Sequence, residues 1–428
     1  MRVALWFLGL FGTAVALALF AGNNPGTVTL FWPPYRLDLS LNLVVLLLIL
    51  LFLVIHLALR ALAALFAMPG HARSWRVQHQ ERAMHLALVD ALSHLVAGRF
   101  IRARKSAELV LVREAALVRS GETLAYAGRL RALSHLLAAE SAQALQDKTA
   151  RAAHFDQALE EASRPDADGT REGVQLRAAR WAIEDRDAHG ALAWLDGLPL
   201  GASRRTLALR LRLKAARMAQ QTQLALETGR LLAKHRAFSD LAARGILRGL
   251  ALELVQATHD VDQMQGVWSQ LDVQERAMPE VAIEASQRLL KLGGSVDLAR
   301  AWLLPVWDRM VAQTEALSDT QRVKLIEALE NSFSAVSGAP DAAWLTRIEQ
   351  AQMMQPGDAP LQYLAGVACM RLQLWGKAQQ LLSQALPRLK HAELERKAWL
   401  ALAELARQRG DDEASAHAWQ NAAKRGQG

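Results

Sequence analysis

The chain has one cysteine, Cys369, in 428 residues. It can form no internal disulfide and no cysteine-based zinc centre, so a disulfide-stabilised extracellular fold is excluded. Aromatic residues make up only 6%. Valine and isoleucine thin out beyond residue 60, which argues against a large sheet. No proline occurs between Pro69 and Pro165, so that stretch lacks the strongest helix breaker. Motifs of chemistry are missing as well. There is no phosphate-binding glycine loop, no nucleophile elbow, no carboxylate pair that stands out, no HExxH and no CxxCH. Neither a zincin nor covalent c-type haem is supported, and no catalytic or metal site is expected. Gly293-Gly294 reads as a helix stop.

Alanine and leucine carry most of the 52% hydrophobic content. Together with arginine, glutamate and glutamine they favour helix. The net charge is +8 and the pI about 9.9. The basic residues are dispersed, without the aromatic-plus-basic signature of a nucleic-acid binder, so no nucleic acid is expected. Attraction to an anionic leaflet and a plain arginine-rich helical surface both fit.

Two runs lack charge altogether. Residues 3–21 and 41–59 each give nineteen apolar-rich positions, close to the length that crosses the hydrocarbon core. A soluble helix would keep a polar face. The alternative for the first run is a cleaved signal peptide, but it exceeds the usual h-region length. Arg60, Arg73, Arg76 and Arg82 follow the second run against Glu81 alone, whereas Arg36 in the loop is balanced by Asp38. The positive-inside rule then places both termini and the C-terminal body in the cytoplasm. The same arginines can hold the body near anionic lipid or serve only as topology signals.

Between the runs, Asn23-Asn24-Pro25-Gly26 is turn chemistry. Thr27–Phe31 are strand formers, Pro33-Pro34 breaks the run, and Tyr35–Ser40 alternates. A small β-hairpin at the outer face follows, with Trp32 and Tyr35 as interfacial anchors; the alternative is an irregular loop.

From about residue 75 the pattern is helix, short break, helix. Pro165 and Pro199 are 34 residues apart, the period of a tetratricopeptide (TPR) repeat. In "LQYLAGVACMRLQLWGKAQQLLSQAL", Gly366, Ala378, Leu382 and Ala385 occupy the small and large positions of such a repeat. In the following unit Trp399, Leu402, Ala403, Ser415, Trp419 and Ala422 do so. An earlier unit places Gly98, Phe100, Ala103 and Ala107 similarly. Between residues 170 and 343 the pattern is degenerate, with helix pairs expected at 174–185 and 188–197. Small residues let two helices approach and large ones fill the groove beside them. The tryptophans are expected mainly in the repeat core. The fold class expected is all-α: a two-helix transmembrane hairpin, then a TPR-like α-solenoid. Its divisions are 1–68 (membrane hairpin, with 22–40 outside), 69–164, 165–345 and 346–428. An ordinary globular bundle is the alternative.

Of twelve histidines, His56 lies inside the second run, and His71, His79 and His85 flank its exit. His56 and His71 are the candidates for a haem or porphyrin ligand, against snorkelling and plain surface roles. The spacings of eight and six do not set one helical face.

Taken in order, the two apolar runs, "GTVTLFWPPYRLDLSLN", "GHARSWRVQHQERAMHLALVDALSHLVAGRFIRARKSAE" and the repeat-like helices resemble the proteobacterial HemY family, most specifically over residues 1–110. The resemblance implies an inner-membrane TPR protein associated with late haem biosynthesis, not an enzyme, with late haem-biosynthesis enzymes and membrane lipid as partners. A flavin-dependent protoporphyrinogen oxidase shares the family name, but this sequence lacks the GxGxxG fingerprint of a dinucleotide-binding enzyme. No cofactor is required, with haem or porphyrin the candidate if one binds. Three functions follow as expectations: a scaffold for late haem enzymes, a haem or porphyrin carrier, and a general envelope adaptor.

Overall fold

The structure, a computed structural model, describes residues 2–22, 25–167, 169–313, 317–333 and 342–425. Asn23 and Asn24 lie outside the described residues, as do the side chains of residues 64–74 and part of those before residue 22.

α1 (Arg2–Gly22) leads into β1 (Thr27–Trp32) and β2 (Tyr35–Ser40). The strands pair antiparallel from Thr27↔Ser40 to Trp32↔Tyr35, so Pro33-Pro34 form a two-residue turn. The bond between the prolines is cis, as in turns with cis proline in third place. Ser40 ends β2 and also caps α2, its Oγ accepting from Leu43 N at 3.3 Å.

α2 runs unbroken from Leu41 to Val96, 56 residues. At about 1.5 Å per residue it is roughly 84 Å long. The backbone stays helical through Pro69 and Gly70, where the sequence suggested a boundary. Among the described residues, Leu41–Ala63 is the one helical stretch long and apolar enough to cross a membrane, and none of it is buried in the protein.

The chain divides after Arg171 into two compact units. In the first, α3 (Phe100–Arg119), α4 (Ala127–Ala144) and α5 (Lys148–Ala162) pack in succession on the C-terminal part of α2. Met84, Val110, Leu117 and Leu130 form the core. Ala91, Ala107 and Ala138 meet where three helices come closest. Arg131 on α4 reaches Glu114 of α3 at 2.7 Å and Glu161 of α5 at 2.8 Å. Both carboxylates are nearly buried, so the triad ties the three helices together.

The second unit begins within α6 (Thr170–Glu184) and continues through α7 (Ala188–Asp196), α8 (Leu200–Ser203), α9 (Thr206–Met218), α10 (Thr222–Lys234) and α11 (Asp240–Gln256). Then come α12 (Val261–Gln270), α13 (Val273–Arg276), α14 (Pro279–Lys291), α15 (Val296–Ala312) and α16 (Asp319–Asn331). It closes with α17 (Ala342–Met354), α18 (Ala359–Arg371), α19 (Trp375–Ala385), α20 (Ala392–Gln408) and α21 (Asp412–Arg425). Neighbouring helices pair in succession, notably α9 with α10, α14 with α15, α18 with α19 and α20 with α21. Each pair buries its apolar side by stacking on the next, which is the logic of helical repeats. Many of the turns share one device, a residue with positive φ just past the end of a helix. Gln146, Arg186, Gln220, Arg236 and Gln373 take that place, and glycine takes it at Gly98, Gly293 and Gly410.

Candidate functional site

The C-terminal repeats enclose an open groove of about 570 Å³. α16 supplies Glu330, α18 supplies Tyr363, Val367, Met370 and Arg371, and α20 supplies Lys397, Leu400 and Glu404, with Phe333 and Trp375 completing the wall. On α18, Tyr363, Val367 and Met370 recur at helical spacing and share one face. Gly366 sits beside this stripe, three residues after Tyr363 and four before Met370. A Cβ there would sit 2.7 Å from Leu382 Cγ on α19. The missing side chain therefore lets α19 close onto α18.

At the centre, Tyr363 Oη donates to Glu330 Oε1 at 2.7 Å. Lys397 Nζ donates to Glu330 Oε2 at 3.1 Å and lies 4.0 Å from Glu327. Tyr363 is fully buried. Burial, then the charge and hydrogen bond of Glu330, push its phenol far above the ordinary range, so it stays a protonated donor. Glu404 at the mouth is held below the usual carboxylate range, chiefly by its hydrogen bond from Arg407. Polar and apolar side chains line the groove in similar measure, Arg371, Gln373, Glu404 and Gln408 surrounding the central cluster. Among the described residues, no serine, threonine or cysteine nucleophile lines the groove. Cys369 on α18 is fully buried, and burial raises its thiol, which suits a packing role. Among the described residues, no group of three histidine, cysteine, aspartate or glutamate side chains is placed to hold a metal ion.

The residues singled out in the sequence fall in several places. Ala378, Leu382, Ala385, Ala403 and Ala422 are buried, Trp399 and Leu402 are half-buried, and Trp419 is 50% exposed. His56 is exposed on α2 and stacks on Phe52 with ring centroids 6.3 Å apart. The side chains of His71 and Arg73 lie outside the described residues. Arg60, Arg76 and Arg82 are exposed along the same helix. His79 stacks on Trp75, while His85 lies 3.2 Å from Tyr126 Oη. α2 thus spreads these histidines along one rod instead of gathering them.

Sequence reasoning missed two polar clusters. One is Glu330–Tyr363–Lys397. The other is His135 of α4 against His154 of α5, Nδ1 to Nδ1 at 3.2 Å, with Glu108 of α3 at 3.6 Å from His154 Nε2. The available signal was rarity. The chain has only three tyrosines, and Tyr126 and Tyr363 each donate to a glutamate.

Residues 26–146 match the family described as HemY protein N-terminus. The match takes in the hairpin and α2 through α4, and it shows the family resemblance over that segment. No curated protein matches the chain. Among solved structures, the APC/C hetero-tetramer Cut9–Hcn1 is 13% identical, with 79% of this chain and 66% of that one covered and a TM-score of 0.27. Naa15/Naa10 bound to HypK-THB is 13% identical, with 80% and 60% covered and a TM-score of 0.23. The P58(IPK) TPR domain is 15% identical, with 76% and 99% covered and a TM-score of 0.22. The chain spans about two thirds or less of the first two. No residue role is carried over from any of them.

Proposed function

We propose that the protein is a membrane-tethered helical-repeat scaffold that holds enzymes of late haem biosynthesis at the cytoplasmic face of the inner membrane. The observation that carries this reading is α2. One unbroken helix joins the apolar length Leu41–Ala63 to the first packed repeats, within a segment that matches the HemY N-terminus. Core packing on α2 begins near Val77. Between Ala63 and Val77 the helix rises roughly 20 Å, a short stalk that keeps bound partners beside the bilayer. In this reading α1 and the Leu41–Ala63 stretch cross the membrane as a pair, with the hairpin outside and both termini in the cytoplasm.

The mechanism is effective concentration. Partners held on one array meet at the local concentration set by their tether instead of the bulk value. No catalytic step is asked of the chain itself. The groove of Tyr363, Glu330 and Lys397 offers apolar wall and paired charge to one partner segment.

Extraction of tetrapyrroles from a clean deletion strain tests this. Accumulated porphyrin with reduced haem, restored by the intact gene, supports the proposal. A normal tetrapyrrole profile contradicts it.

A further inference from the structure

The hairpin has two unlike faces. Side chains alternate across a strand, and the register pairs Val28 with Leu39, Leu30 with Leu37 and Trp32 with Tyr35. These three cross-strand pairs share one face, aliphatic or aromatic throughout, with the Tyr35 hydroxyl and Trp32 indole N–H as its polar atoms at the turn. The opposite face carries Thr27 with Ser40, Thr29 with Asp38 and Phe31 with Arg36. There the Arg36 guanidinium lies over the Phe31 ring, 5.5 Å from its centroid, and its Nε is 3.4 Å from Asp38. Towards the turn the apolar face is uncovered within the protein, with Leu30 51% exposed, Trp32 73%, Tyr35 72% and Leu37 55%, while Val28 and Leu39 near α2 are half-buried; on the opposite face Phe31 beneath Arg36 is 72% exposed.

The attachment limits where this face can go. Ser40 is both the last residue of β2 and the cap of α2. Leu41 N donates to Gly26 O at 2.9 Å, so the start of β1 is tied to the first turn of the same helix. No free linker intervenes. A six-residue strand spans about 20 Å. Standing upright from the end of an inserted helix, the ribbon would hold its apolar side chains in water along that length. Lying down, it would set them against lipid. A two-stranded ribbon also has two outer edges of unpaired backbone groups, which hydrocarbon does not tolerate. The ribbon must therefore stop at the level where water still reaches.

We propose that β1 and β2 lie flat on the membrane, with the Val28, Leu30, Trp32, Tyr35, Leu37 and Leu39 face in the boundary between headgroups and acyl chains. The polar face, with Arg36 and Asp38, looks into water. The aromatic pair at the turn anchors the far end at headgroup level, as tryptophan and tyrosine do at membrane interfaces. The ribbon then acts as an outrigger that resists tilt and rotation of α2. This inference rests on the membrane reading of Leu41–Ala63.

The test uses the full chain in vesicles of phosphatidylethanolamine and phosphatidylglycerol. In a Cys369→Ser background, Leu30→Cys, Leu37→Cys, Thr29→Cys and Phe52→Cys variants each carry one spin label. Accessibility to oxygen and to an aqueous nickel chelate is then measured. The expected result is Phe52 deep in lipid, Leu30 and Leu37 at the boundary about 5–10 Å in, and Thr29 open to the chelate. Leu30 and Leu37 as open to the chelate as Thr29, with Phe52 still in lipid, overturns this inference alone. Phe52 open to the chelate as well overturns the membrane reading and this inference with it. Labels at Leu30 and Leu37 shielded from both probes, with crosslinks between copies, assign the face to a protein contact and also overturn it.

Discussion

Gly366 and His135 show how single positions set local stability. A Cβ at residue 366 meets Leu382 Cγ at 2.7 Å, Cδ2 at 2.9 Å and the Leu382 backbone N at 3.3 Å. Leu382 is fully buried, and its backbone N as well as its side chain lies within reach of the added Cβ. Overpacking of this kind costs about 1–3 kcal/mol. Gly366→Val should lower the unfolding free energy of the C-terminal repeats by that amount, read as a lower urea midpoint at unchanged m-value, and adding Leu382→Ala should restore part of it. An unchanged midpoint would show that the two helices do not close on residue 366. His135 bears on pH. Burial lowers its pKa, and the facing His154 lowers it further; Arg131 acts the same way, while Glu161 opposes. Because the folded value lies below the unfolded value of about 6.5, the unfolded chain takes up the proton first. Stability is therefore lost as pH falls through that unfolded value, and the loss levels off below the folded one. Chemical unfolding at pH 7.5 and 5.5 should show a smaller acid loss in His135→Gln than in the parent. An equal loss in both would contradict the assignment.

Among the elements, the Glu114–Arg131–Glu161 triad carries the sharpest expectation. Arg131 is partly covered, and its two carboxylate partners are 5% and 10% exposed. Removing Arg131 takes the ion-pair partner from the nearly buried Glu114, while Glu161 keeps Arg164 at 3.0 Å. Breaking a buried pair in this way costs about 3–5 kcal/mol. Arg131→Met should destabilise the first unit on that scale, measured by urea unfolding, and acid pH should partly rescue it by protonating the acids. Loss of less than about 1 kcal/mol, the range of an exposed pair, would contradict the buried reading.

The elements also show what was legible in the sequence. The hairpin was, because Thr27 to Phe31 are strand formers and Tyr35 to Ser40 alternate on either side of two prolines. Helix pairs at 174–185 and 188–197 match α6 and α7 closely. The continuity of α2 was not legible, since Pro69-Gly70 reads locally as a stop. The repeat boundaries were obscured for a related reason. Left-handed turn positions favour glycine, yet Gln146, Arg186, Gln220 and Gln373 occupy them here. Without glycine to mark the turn, the period fades. The groove was illegible because Glu330 lies 33 residues from Tyr363 and 67 from Lys397. No local spacing encodes three helices meeting. The tryptophans divide: Trp302 and Trp307 are buried as core residues should be, whereas Trp419 is half exposed.

Across the whole molecule, the proposed account joins an apolar length to an array of helical pairs, each with its own demand on the sequence. Leu41–Ala63 has a mean hydropathy of 3.0, is long and apolar enough to cross a membrane, and none of it is buried in the protein. The repeats instead combine buried alanine and leucine with arginine–glutamate pairs, some exposed and some, as at Arg131 and Arg230, with carboxylates nearly buried. The central claim is that the groove of the last repeats holds a partner that handles late haem intermediates. The most direct measurement is photocrosslinking in cells from residues placed at Leu400 and Gln408 in the groove, with Gln380, exposed outside it, as control. The account predicts adducts with membrane-associated tetrapyrrole enzymes from Leu400 and Gln408, reduced by Lys397→Glu. Adducts no more abundant from the groove than from Gln380, or none containing such enzymes, would contradict it.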